Sequence, residues 1–200
     1  MNFRHIGMID LPDWKFDEAD WNNELGNKRK EELTIFRHID SICLQWQYAK
    51  GRPHKKAEKT KFYDKYYDRE FFEELEHRLL NYYGHGYFVS LLFARLKPEG
   101  KIEPHVDGGL SVVHNRDIHI PIHTNSDCIF KVGESIRHLE RGEIVEIDNT
   151  VTHSVVNGSE PRIHLMVEWC NTEPYDNYTY EYVDSVFGDN KQYKIWKSLY

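Results

Sequence analysis

From Asp64 to Tyr83 the apolar positions recur with the period of a helix. Tyr67, Phe71, Phe72, Leu75 and Leu79 fall on one face and charged residues fill the other, so the spacing predicts a single helix over 64–83. Gly84 and Gly86 stop it. From Tyr87 onward the period drops to two. Short runs at 87–96, 102–107, 118–123, 128–132, 135–139, 143–147, 153–156 and 162–169 read as strands. Gly133-Glu134 and Glu140-Arg141-Gly142 read as hairpin turns between them. Short strands at this spacing predict a jelly roll or double-stranded barrel.

Ahead of the helix the pattern is weaker. Residues 1–35 are polar and mixed, with Trp14, Phe16 and Trp21 as expected anchors onto a core and Asp17 to Asn22 as a short helix. A loop follows at Gly26-Asn27-Lys28. Ile35 to Tyr48 reads as a strand that puts Ile42, Leu44 and Trp46 on one face. Lys50 to Lys61 is a basic loop, read either as solvated or as a lid attracting an acidic substrate. The tyrosine-rich tail from Asn171 ends in Tyr193 to Tyr200, expected as a helix packed on the outside. The expectation is one mainly β domain with N-terminal helices (α+β) over 1–200. It has a helical and strand support layer at 1–86, a β core at 87–170 and a C-terminal extension at 171–200.

Composition narrows the function classes. A formal net charge of −7 and a pI near 5.9 disfavour a non-specific nucleic-acid binder, which needs a basic face. The first residues carry no basic segment followed by a long apolar run, and no stretch approaches a membrane span. The cysteines Cys43, Cys128 and Cys170 are odd in number and widely spaced, which reads as reduced thiols of a cytoplasmic protein.

Candidate chemistry concentrates in two segments. In Pro104-His105-Val106-Asp107 an extended backbone sets the imidazole and the carboxylate on one face, where both can reach one ion. Asp148-Asn149-Thr150-Val151-Thr152-His153 returns with a second imidazole. Two histidines and one carboxylate on one side of a metal leave the opposite positions open, as in non-haem Fe(II) oxygenases. Two strands share an asymmetry with this site. Ile118, Ile120 and Ile122 alternate with His119, Pro121 and His123, and Ile163, Leu165 and Val167 alternate with Arg162, His164, Met166 and Glu168. The apolar faces are expected beneath the N-terminal helices and the polar faces toward the barrel interior, because a buried arginine needs a charged partner.

The ordered set Leu96-Lys97-Pro98-Glu99-Gly100, Pro104-His105-Val106-Asp107, Ile118-His119-Ile120-Pro121-Ile122-His123-Thr124-Asn125, Gly142-Glu143, Ile147-Asp148-Asn149, His153-Ser154-Val155-Val156-Asn157 and Arg162-Ile163-His164-Leu165 carries a resemblance. It resembles the aspartyl/asparaginyl beta-hydroxylase branch of the Fe(II)/2-oxoglutarate-dependent dioxygenases, closely over about 88–170 and loosely before. The resemblance implies a double-stranded beta-helix (a jelly-roll, cupin-like barrel) at 87–170, with Fe(II) held by His105, Asp107 and His153. It implies 2-oxoglutarate and O2 as cosubstrates, and hydroxylation of a free amino acid or of a residue in a peptide or protein.

Arg162, nine positions after His153, matches the arginine that holds the distal carboxylate of 2-oxoglutarate. His119 matches a histidine near the cosubstrate. Relatives often carry an arginine where this chain has Asp117, so Arg116 substitutes only if a bulge turns it inward. Ala94 stands where some relatives carry a hydroxyl. Asp148 and Asn149 are expected to shape the turn that delivers His153. His123, His164 and Glu168 are open between the substrate side and support of the site. The rival readings are a non-enzymatic cupin-like module binding a small acid, and a metal-dependent hydrolase or isomerase that does not use 2-oxoglutarate.

Overall fold

A computed structural model describes residues 2–22, 34–46, 57–107 and 115–171. The expected loop at 26–28, residues 50–56 of the loop expected at 50–61, and the expected helix at 193–200 lie outside the described residues, while 57–61 holds a two-residue strand instead. The chain opens with β1 (Phe3–Met8), 3-10 turns at Glu18–Asn22 and Thr34–Phe36, β2 (Ile39–Trp46) and the two-residue β3 (Glu58–Lys59). Helices α1 (Tyr63–Tyr66) and α2 (Arg69–Tyr83) follow. The rest is β4 (Tyr87–Leu96), β5 (Lys101–His105), β6 (Asn115–His123), β7 (Ile129–Val132), β8 (Ser135–Arg137), β9 (Glu143–Ile147), β10 (His153–Val156) and β11 (Arg162–Cys170). The period-two segments are therefore strands, with ends that differ from the expected ones by at most three residues.

Two sheets hold these strands. The larger runs β1-β9-β6-β11-β4-β2-β3 and the smaller β5-β10-β7-β8. Helix α2 buries Phe71, Phe72, Leu75 and Leu79 against Ile118, Ile120, Ile122, Ile163, Leu165 and Val167. This is the apolar packing anticipated for the isoleucine faces of β6 and β11. A second cluster, with Leu96, Val145 and Ile147 from the larger sheet and Phe130, Val132 and Val155 from the smaller, closes the space between them.

Two elements depart from the pattern. The predicted single helix is broken, because Asp68 is extended (φ −78°, ψ 111°) and accepts a bond from the Phe71 backbone N–H at 2.9 Å. A side-chain cap of that kind starts a new helix and ends the previous turn. Tyr67 is thereby left between the helices, stacked on Phe72 with ring centroids 4.4 Å apart. Trp46 does not share the face of Ile42. The β2–β4 ladder slips between Cys43 and Gln45, and the extra residue moves Trp46 to the side of Cys43, Leu92 and Ala94.

Candidate metal and anion site

His105 ends β5 and His153 opens β10, and the two are direct partners in the antiparallel ladder. Residues 48 positions apart thus bring their rings to 4.2 Å between centroids. Asp107, two residues past His105, places Oδ1 3.4 Å from His105 Nε2 and Oδ2 3.8 Å from His153 Nε2. One ligand atom from each of the three residues lies within 4.8 Å of the others.

The local backbone sets the rings. Nδ1 of His105 is 2.8 Å from the Glu103 carbonyl, and Nδ1 of His153 is 3.0 Å from the Val151 carbonyl. A carbonyl can only accept, so Nδ1 carries the proton in both and Nε2 keeps its lone pair for an ion. Asn149 holds the carboxylate. Its Nδ2 donates to Asp107 Oδ2 at 3.4 Å, and its carbonyl accepts from the Asp107 N–H at 3.2 Å. The Asp148 side chain accepts from the Thr150 N–H and hydroxyl, the turn-forming role read from the sequence. Two imidazoles and one carboxylate from a loop and two strand ends fit Fe(II) in an open three-ligand site.

On the inner side of the larger sheet lies a buried cation. Arg162 is 2% exposed, with its guanidinium carbon 5.2 Å from the Phe130 ring centroid. Its Nε and Nη1 have no hydrogen-bond partner among the described residues. Burial lowers its pKa, opposed by the neighbouring Cys128 thiol, and burial likewise pushes that thiol up. Buried N–H groups without acceptors are costly. A carboxylate satisfies both the charge and the two donors, so the residues present fit the distal end of 2-oxoglutarate.

His164, two residues on, is fully buried and stacks on Phe130 at 5.3 Å. Burial, followed by the charge of Arg162, holds it well below the ordinary histidine range and thus neutral. Its Nδ1 is 3.3 Å from Nδ1 of His119, whose Nε2 lies 3.4 Å from Asp117 Oδ1 without the alignment of a hydrogen bond. Ala94 is the ladder partner of His164, while His123 is exposed.

Arg116 is not brought to this group. The β6–β11 ladder runs without a slip from Ile120 to Asn115, so the bulge that would turn it inward is missing. Its side chain instead meets Glu146 at 3.4 Å and the face of Tyr83, on the helix side of the sheet. The arginine expectation at this strand is corrected: Asp117 occupies the inward position. The sequence left His164 open. Its signal is the alternation two residues past Arg162, which puts both on one face.

Residues 75–172 match the family model for Aspartyl/Asparaginyl beta-hydroxylase. This part of the chain is similar to that family. The match and the site together make it a hydroxylase of the Fe(II)- and 2-oxoglutarate-dependent type, with His105, Asp107 and His153 as the group able to hold the metal. The fold is shared with a 2OG-Fe(II) oxygenase family oxidoreductase from Burkholderia pseudomallei. That pair is 10% identical over 70% of this chain and 72% of the other, with a TM-score of 0.53. A viral collagen prolyl hydroxylase from Paramecium Bursaria Chlorella virus-1, in complex with 2OG, is 11% identical over 70% of this chain and 83% of the other, with a TM-score of 0.46. No curated protein sequence matches the chain. No helix among the described residues is long and apolar enough to cross a membrane.

Proposed function

We propose that this protein hydroxylates an unactivated carbon of a free amino acid or of a residue in a peptide or protein. One atom of O2 enters the product; the other enters succinate as 2-oxoglutarate loses CO2. The observation that carries the reading is the His105, Asp107 and His153 cluster in one chain with a buried Arg162 whose donors are unsatisfied. Iron and 2-oxoglutarate supply the oxidising chemistry when bound. The residues of the chain do the rest.

His105, Asp107 and His153 hold the metal, with the carbonyls of Glu103 and Val151 fixing both imidazole tautomers and Asn149 orienting the carboxylate. Arg162 grips the far carboxylate of the cosubstrate, and neutral His164, with His119 beside it, lines its path. Phe130 and the thiol of Cys128 keep water from that end. The strand order, with β4, β11, β6 and β9 in one sheet and β5, β10, β7 and β8 in the other, supports a double-stranded beta-helix for 87–170. The buried free thiols Cys43, Cys128 and Cys170 support a reducing compartment such as the cytoplasm.

The test is succinate formation by anaerobically purified protein given Fe(II), 2-oxoglutarate and then O2, with and without a pool of amino acids and peptides. Iron-dependent succinate that is lost in His153→Ala and Arg162→Ala is the expected outcome. Protein that neither binds 2-oxoglutarate nor makes succinate refutes the reading and favours a non-enzymatic binding module.

A further inference from the structure

Three buried side-chain nitrogens at the start of β11 lack a hydrogen-bond partner among the described residues, and only two of them belong to Arg162. Nε and Nη1 of Arg162 are joined by Nε2 of His164. The His164 ring is fully buried. The two residues stand at i and i+2 on one strand, so their side chains leave the same face about 7 Å apart.

Both turn to one ring of the opposite sheet. Phe130 of β7 lies 5.2 Å from the Arg162 guanidinium carbon and stacks on His164 at 5.3 Å, within 4° of parallel. His119 meets the same ring edge-on at 5.7 Å. Register ties this ring to the metal group. On the β10–β7 ladder His153 pairs with Val132 and Val155 pairs with Phe130, a step of two residues or about 7 Å. A five-carbon diacid spans a gap of that order.

The neighbouring strands leave Nε2 of His164 unanswered. A buried ring nitrogen without a partner costs free energy. Ala94, the ladder partner on β4, offers only a methyl group, and Pro121, the partner on β6, has a side chain with neither donor nor acceptor.

The other ring nitrogen bears on the tautomer. His164 is kept neutral by burial first and the charge of Arg162 second, so it has one N–H and one lone pair. Its Nδ1 stands 3.3 Å from Nδ1 of His119, where one ring donates and the other accepts. The Asp117 oxygen 3.4 Å from His119 Nε2 is not aligned to accept, so no hydrogen bond there ties the His119 proton to Nε2. With His119 as the donor, His164 accepts at Nδ1 and carries its own proton at Nε2.

We propose that His164 donates from Nε2 to the same distal carboxylate that Arg162 grips, with His119 as the positioning residue that holds its tautomer. This deepens the oxygenase reading and rests on it. A carboxylate has acceptor sites enough for all three nitrogens.

The test compares 2-oxoglutarate with 2-oxovalerate, which keeps the keto acid and the five-carbon chain and lacks the distal carboxylate. Binding to the Mn(II)-loaded protein is measured by titration calorimetry. His164→Leu is expected to lose about 10- to 100-fold in affinity for 2-oxoglutarate and nothing for 2-oxovalerate. His164→Gln, whose amide nitrogen reaches the place of Nε2, is expected to recover most of that loss. Nitrogen NMR of isotope-labelled histidine in the Zn(II)-loaded protein is expected to show His164 protonated at Nε2 once 2-oxoglutarate is bound. Unchanged 2-oxoglutarate affinity in His164→Leu, an equal loss for both acids, no recovery in His164→Gln, or a His164 ring protonated at Nδ1 overturns the proposal. The oxygenase reading is judged on wild type. A preference for 2-oxoglutarate over 2-oxovalerate leaves it standing when the His164 proposal fails, and binding of neither acid refutes both.

Discussion

Replacing Arg162 with methionine gives two effects of opposite sign. The side chain is 2% exposed, and its Nε and Nη1 donate to nothing among the described residues. Without ligand, a buried charge lacking a carboxylate is a liability. Apolar replacement of buried ionic groups at similar volume is often stabilising by about 1–4 kcal/mol. For a chain of this size that raises the melting temperature by roughly 2–16 °C. With 2-oxoglutarate the sign reverses. Two charge-assisted bonds at about 1.5–3 kcal/mol each amount to about 3–6 kcal/mol, a loss of roughly 10^2- to 10^4-fold in affinity. The assay is thermal unfolding with Mn(II) alone and with Mn(II) plus 2-oxoglutarate. Wild type at a hundred times its Kd gains about 2.7 kcal/mol from the cosubstrate, and Arg162→Met at the same concentration gains almost nothing. A variant that melts lower than wild type without ligand yet keeps the full ligand shift refutes the reasoning.

Asn149→Ala removes the amide that orients Asp107 and is expected to weaken Mn(II) binding by about 10- to 100-fold, measured by titration calorimetry, with the fold intact by circular dichroism. His164 is held neutral in the folded protein, whereas in the unfolded chain it protonates near its ordinary value of 6.5. Its contribution is therefore present above that pH and lost as the pH falls below it. The expected slope is up to about 1.4 kcal/mol per pH unit, seen in urea unfolding at pH 7.5, 6.0 and 5.0 and flattened in His164→Gln. Asp68→Ala removes the cap of α2 and is expected to cost about 1 kcal/mol, read as a lower urea midpoint at unchanged slope.

The alternation in β6 and β11 was enough to place Arg162, His119 and His164 on an inner face, because a strand has only two faces and six isoleucine, leucine and valine side chains claim one of them. The His-x-Asp spacing likewise located one half of the metal group. That His153 stands directly across from His105 depends on ladder register, which no local spacing encodes. The same limit explains the errors. Trp46 changed sides through one extra residue in β2, and the helix broke at Asp68 because a carboxylate capped a backbone N–H that the periodicity treats as continuous. Arg116 stayed outside because its ladder did not slip. Each turns on whether the backbone makes or omits a one-residue event, which is invisible to a pattern averaged over several.

The division of labour between the two sheets has a mechanical consequence. The metal ligands His105 and His153 belong to the smaller sheet, while Arg162, His119 and His164 belong to the larger. A cosubstrate held as proposed, at one end by the ion and at the other by Arg162, bolts one sheet to the other. The apolar cluster of Phe130, Val132, Val155 and Val145 joins the sheets beside that bolt, with Phe130 against Arg162 itself. Ligand loading is then a change in the breathing of the sandwich: amide protons of β5 and β10 exchange slowly only when the bolt is in place, and those of β6 and β11, clamped by α2, exchange slowly in either state.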